Sequence, residues 1–279
     1  MAPKKDKLNQ FADQLRELTD EMVKEEAAHL SARGAIMVRK TITEAYDKLK
    51  AVMDNLDPYK DHGFVFDPSN PNIAGRVAGI ALIVRPRKPL ANVEHFYGSG
   101  IYALYYKGNF SPYTAISNQE HPIYVGKADP KSLQSKTVVE QGSQLTGRLK
   151  DHRRTIGKAK ETLRLEDFEY RALVVQTGWQ EAAESYLIDL FKPIWNKETK
   201  ICYGFGKHGD DPATRGNTRS PWDTLHQGRD WAHRDPKMSD AEPEERIVKR
   251  IEEHFAKYPP LGSIEEVLRR FLDDMRAAY

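Results

Sequence analysis

The sequence predicts an α+β fold in which a small antiparallel sheet is flanked by helices and preceded by a helical extension. Three observations carry this expectation. Two long apolar stripes with 3,4 spacing open the chain, two short tyrosine-rich runs alternate like strands near its middle, and amphipathic stretches follow the later strand-like runs. At 279 residues the chain is long enough for one sizeable core and an accessory region, and 10% aromatic content is too high for a disordered protein.

In the first stripe Leu8, Phe11, Leu15, Leu18 and Met22 alternate spacings of three and four, which places them on one seam of a helix. Ile42, Ala45, Leu49, Val52 and Leu56 repeat the pattern after Gly34, so residues 1–60 read as two amphipathic helices. Their seams serve either packing on the rest of the protein or association of subunits. Residues 61–89, rich in proline and glycine, read as a linker with one short strand at 80–84. Strands are then expected at 100–106, 123–126 and 168–177, with helices near 143–160 and 180–191. After a loop rich in Gly, Asp, Thr and Arg come two helical stripes, Ile247–Ile251–Phe255 and Ile264–Val267–Leu268–Phe271–Met275, separated by Pro259 and Pro260. The second forms a C-terminal helix over residues 259–279.

Forty-three basic and 41 acidic residues leave a net charge of +2, so attraction to a polyanion has to come from local patches. No apolar run approaches the roughly 18 residues of a membrane span, and the N-terminus has no apolar signal core, so a cytoplasmic protein is expected. The single cysteine, Cys202, reads as inert packing.

The candidate chemistry begins with Tyr102, in the run GIYALYY, and Tyr124, in PIYVG. Paired as neighbouring strands, these runs bring two phenols to one end of a sheet; as isolated strands they would carry only packing tyrosines. Arg148 and His152 stand four apart on one helical face. Around them, residues 146–164 hold seven bases against two acids, including Lys150, Arg153 and Arg154. Such a stretch attracts phosphates, or is simply a solvated helix face. Glu184 precedes Leu187, Ile188 and Phe191 by three, four and seven residues, which puts a carboxylate on the apolar side of its helix. It needs a cation, a metal or hydrogen-bond donors there. Asn196, after the helix-stopping Pro193, is either a loop-capping amide or part of the site.

In this order, Gly100-Ile101-Tyr102, Tyr124-Val125-Gly126, Arg148 with His152, Glu184 and Asn196 resemble the GIY-YIG nuclease superfamily. GSGIYALYYKG, HPIYVGKADP, GRLKDHRRTI, FKPIWN, GFGKH and PWDTLHQGRDWA are similar to its type II restriction endonucleases that cut the palindrome CCGCGG. Val125 stands where the simplest pattern has isoleucine, and residues 107–122 form an unusually long loop between the tyrosine motifs.

The resemblance implies a three-stranded antiparallel sheet flanked by helices, a catalytic and DNA-binding domain over 90–258, and hydrolysis of phosphodiester bonds in double-stranded DNA. It further implies Mg²⁺ held by Glu184, Tyr102 as general base or water-positioner assisted by His152 or the metal, Arg148 on the phosphate, and Tyr124, Lys127 and Asn196 orienting groups. Base reading is expected from Lys207, His208, Arg215, Asn217, Arg219 and Arg229 in the loop 204–229, since guanine O6 and N7 favour Arg and Lys. A palindrome matches a two-fold protein, so a homodimer, or with the N-terminal helices a homotetramer, is expected. A homing or repair-type nuclease, or a DNA-binding scaffold without catalysis, would share parts of this pattern.

Overall fold

The computed structural model describes residues 3–25, 30–59, 67, 69–206, 218–233 and 238–277. The chain divides into two units, Met1–Val65 and Phe66–Tyr279. The first contains α1 (Pro3–Lys24) and α2 (Ala32–Leu56), the latter capped by the Ser31 hydroxyl, which accepts from the Gly34 amide. Among its described residues none is buried: Phe11 is 61% exposed, Leu18 54% and Ile42 45%. Both seams predicted from the spacing are therefore uncovered.

The second unit runs α3 (Pro71–Ile83), β1 (Lys88–Pro89), β2 (Gly100–Tyr106), β3 (Tyr124–Ala128), α4 (Val138–Gln141), α5 (Gln144–Lys158), β4 (Phe168–Val174), α6 (Gln180–Phe191), β5 (Thr218–Arg219), α7 (Pro221–Leu225), α8 (Asp230–His233), β6 (Ser239–Asp240), α9 (Glu244–Lys257) and α10 (Ile264–Ala277). Four antiparallel strands, in the order β1-β4-β2-β3, form the main sheet, and β5 pairs with β6 in parallel. The expected three strands are β2, β3 and β4. The fourth, Lys88–Pro89, is a two-residue edge beside Glu169 and Tyr170, a position where proline's missing amide is tolerated.

Strand β2 is buried along its whole length because both faces of the sheet are covered. As alternation requires, Tyr102, Leu104 and Tyr106 enter one apolar cluster with Leu145, Leu149 and Ile156 of α5, while Ile101, Ala103 and Tyr105 enter a second. That second cluster draws in Leu82 and Ile83 of α3, Leu187 and Phe191 of α6, and Val267 and Phe271 of α10.

Two expectations are corrected here. The strand expected at 80–84 is the end of a helix, begun by the Asn70 side chain, which accepts from the Asn72 amide, and by Pro71 in the first turn. Gly75 and Gly79, two of the glycines behind the linker reading of residues 61–89, are close-contact positions. A Cβ on Gly75 would lie 2.7 Å from the Ala182 carbonyl oxygen, and one on Gly79 3.2 Å from the side chains of Leu187 and Phe271. The segments read as a linker and as a separate C-terminal helix consequently supply one wall of the core. Replacing Phe271 with alanine is expected to destabilise the second unit by about 3–5 kcal/mol, against under about 0.5 kcal/mol for the neighbouring, exposed Leu272→Ala. Urea denaturation of the two variants checks this, and equal losses would remove α10 from the core.

Candidate active site

Tyr102 pairs across β2 and β3 with Gly126, and Tyr124, two residues before Gly126, projects from the same face. A side chain at Gly126 would collide with the Tyr102 phenol, so the glycine of YVG is what lets that ring lie across β3. The two rings stand 6.2 Å apart. From α5, His152 meets this pair: its Nε2 lies 2.6 Å from the Tyr102 hydroxyl. Its ring centroid is 5.2 Å from that of Tyr124. Arg148, one turn earlier, stays exposed at the mouth of the same cleft.

Glu184 faces the cleft from α6, where the apolar neighbours Leu187 and Phe191 are buried and the carboxylate is only partly solvated. The backbone amide of Lys127 on β3 favours its charged form. Burial pushes its carboxyl up to about 7; Lys127 opposes the shift, and the nearby Glu181 and Glu198 add to it. Burial likewise raises the Tyr102 phenol well above 10, with Tyr124 and Glu184 adding and Arg148 opposing, and it pushes Tyr124 up to about 12. Both phenols are therefore protonated at neutral pH. The Lys127 ammonium sits between Glu181, which it touches, and Asp129 at 3.3 Å.

Six of the seven residues read as catalytic, Tyr102, Tyr124, Lys127, Arg148, His152 and Glu184, line one cleft of about 190 Å³. The seventh does not. Asn196 is 4% exposed, and its amide forms both hydrogen bonds with Val125, accepting from N–H at 2.9 Å and donating to C=O at 2.8 Å. It staples the centre of β3 to the segment after α6.

The residues expected to meet DNA are placed unevenly. On α5, Lys150 reaches the His95 ring at 2.6 Å, Arg153 donates to the Ala91 carbonyl, and Arg154 pairs with Asp151 at 3.3 Å. Arg219 pairs with Asp240 at 2.6 Å. Arg229 is a correction: it is 3% exposed, bound to Asp223 at 2.6 Å and to the carbonyls of Gly204 and Phe205, so its donors point into the protein. Lys207, His208, Arg215 and Asn217 lie outside the described residues.

The cleft also contains residues that the sequence did not single out: Asp129, Asp151, Thr155, Phe205 and Gly206. Asp151 and Thr155 continue the helical face of Arg148 and His152 at three and seven residues, a spacing that could have marked them. Phe205 carries no such spacing and is marked only by its place in the segment GFGKH.

A sheet-end cleft holding two phenols, an imidazole, a guanidinium, an ammonium and one strained carboxylate suits the handling of a phosphate ester. The model of the Eco29kI GIY-YIG domain family matches residues 94–255, more than half of the chain. The protein belongs to that family, which makes it a GIY-YIG nuclease with DNA as its substrate. No curated protein matches the chain.

Two expectations follow from the geometry. A carboxyl near 7 in the folded protein and 4.5 in the unfolded one stabilises the fold below pH 4.5 and loses that contribution as pH rises through 7. In EDTA, Glu184→Gln should therefore be more stable than the parent by about 1–3 kcal/mol at pH 8, with the gap closing towards pH 4.5; denaturation across that range measures it. Asn196→Ala and Asn196→Asp should each lower stability by about 1–3 kcal/mol, because both leave a buried group of Val125 unpaired. A fully stable Asn196→Ala protein that had lost only cleavage would show a catalytic role instead.

Proposed function

We propose that the protein is a type II restriction endonuclease that hydrolyses double-stranded DNA at a short GC-rich palindrome, with CCGCGG as the sequence to test first. The observation that carries this reading is the buried Tyr102–His152 hydrogen bond, set in one cleft with Arg148, Lys127 and Glu184. Similarity of six segments of the chain to the enzymes that cut CCGCGG supports the choice of target.

Hydrolysis joins a water oxygen to phosphorus and breaks the bond to the 3′ oxygen. The water loses a proton, and charge grows on the phosphate oxygens. Free tyrosinate is disfavoured in this cleft, since burial raises the Tyr102 phenol. The hydrogen bond offers a route that avoids it: Tyr102 takes the water proton as it passes its own to His152 Nε2. Arg148 and Lys127 face the phosphate with fixed positive charge, Arg148 by a planar fork suited to two oxygens. Tyr124 donates from the same sheet face.

A divalent cation fits these residues. Glu184 is a carboxyl that an adjoining positive charge would relieve, and among the described residues no three His, Cys, Asp or Glu form a closed cage. A site that offers one carboxylate as ligand and leaves the other positions to water and substrate suits Mg²⁺, and Glu184 would hold it. When bound, the ion supplies positive charge at the departing 3′ oxygen.

A palindromic target calls for two active sites related by a two-fold axis, hence a homodimer. The uncovered seams of α1 and α2 favour association of copies through the first unit, up to a tetramer.

The test is digestion of a plasmid carrying CCGCGG, with and without Mg²⁺, followed by mapping of the ends. Cuts confined to that site are expected, and Tyr102→Phe, Arg148→Ala and Glu184→Ala should each slow cleavage by at least about 100-fold. Cuts at a long asymmetric sequence or at branched DNA would point to a homing or repair nuclease. Wild-type rates in Glu184→Ala and Tyr102→Phe would refute the mechanism.

A further inference from the structure

Phe205 is 1% exposed and lies flat on the His152 imidazole, with ring centroids 4.6 Å apart and planes 19° from parallel. Its other contacts are aromatic too: it meets Tyr124 edge-on at 5.2 Å and backs onto Trp195 at 4.5 Å and Trp222 at 5.5 Å. The Tyr102 hydrogen bond fixes one edge of the imidazole, and a flat aromatic surface pressed on its face fixes the plane of the ring.

The backbone carrying this ring is held in turn. Arg229 donates to the Phe205 carbonyl at 3.2 Å and to the Gly204 carbonyl at 2.9 Å, while its Nε binds Asp223 at 2.6 Å. The guanidinium lies over Trp222, 4.6 Å from the ring centroid, and Asp223 takes the Ser220 hydroxyl at 2.6 Å. Gly204 has φ +114°, and a side chain on it would run into Ser220, so only glycine lets the chain turn here. A buried ion pair adds little net stability but imposes one geometry on what it binds.

We infer that Phe205 is a positioning residue for the nuclease reaction, holding the His152 imidazole in the orientation that receives the Tyr102 proton, and that the Arg229–Asp223 pair sets Phe205. This rests on the nuclease reading above. It also gives Arg229 a role in catalysis without any contact with DNA.

Single-turnover cleavage at the mapped site is compared for the parent, Phe205→Leu, His152→Ala and the double variant, with Phe205→Met used if the leucine variant fails to show a cooperative thermal transition. Phe205→Leu is expected to lower the cleavage rate about 30- to 100-fold while DNA affinity in Ca²⁺ stays within about twofold, the size of effect that misplacing a reacting group produces. Added to His152→Ala, it should cause no further loss, because the ring acts through the imidazole. A rate within about threefold of the parent, a loss carried by affinity, or losses that multiply in the double variant would overturn the proposal. The resting protein provides a readout that needs no DNA: the ¹⁵N shifts of the His152 ring report its bond to Tyr102, and unchanged shifts in Phe205→Leu would also overturn it. A parent protein that cuts no DNA would refute the nuclease reading and leave this last measurement standing.

Discussion

Tyr102 is 2% exposed on β2, an interior strand of the sheet, and a buried hydroxyl left unpaired is expensive. Its hydrogen bond to His152 meets that demand and at the same time fixes where α5 can lie on the sheet. Leu145, Leu149 and Ile156 must then face the same cluster as Leu104 and Tyr106, because they share the inner side of the helix with His152. Arg148 and Asp151 are left at the edge of that side, overlooking the cleft. The packing of the first apolar cluster and the composition of the active site are thus two results of one constraint.

The electrostatics of the cleft show the tension between stability and function. Glu184 is held where solvent is scarce and two more carboxylates are near, which raises its carboxyl to about 7. A core built only for stability would have no such group. The phenols go the opposite way from what a simple base would need, since burial raises both. In the mechanism proposed above, proton transfer through the short Tyr102–His152 hydrogen bond would reconcile these facts, since the tyrosine would conduct a proton without holding a negative charge in a poorly solvated place.

Much of this was legible in the sequence, because local periodicity sets which residues share a face. Arg148 with His152, Glu184 on the apolar side of its helix, and the alternation of Tyr102, Leu104 and Tyr106 all follow from spacing alone, and α6 begins and ends where its pattern does. The failures have a common cause, which is that their determinants are distant in the chain. Gly75 and Gly79 look like breakers until α6 and α10 are seen beside them. Arg229 looks like a solvent-exposed DNA ligand until Asp223 and two carbonyls claim its donors. Asn196 reads both ways in sequence, and its two bonds reach Val125, 71 residues away on β3, a partner that no local pattern announces.

The segment beyond Asn196 also changes meaning once the fold is known. In sequence it is a loop rich in donors. In space its two ends, Gly204–Phe205 and Ser220–Arg229, close on each other through a buried ion pair and a stack of indole and phenyl rings, directly behind His152. Gly206, at the end of the first of these stretches, lines the active-site cleft. Under the positioning role proposed for Phe205, a substitution at Phe205 or Arg229 would act on chemistry without touching the substrate.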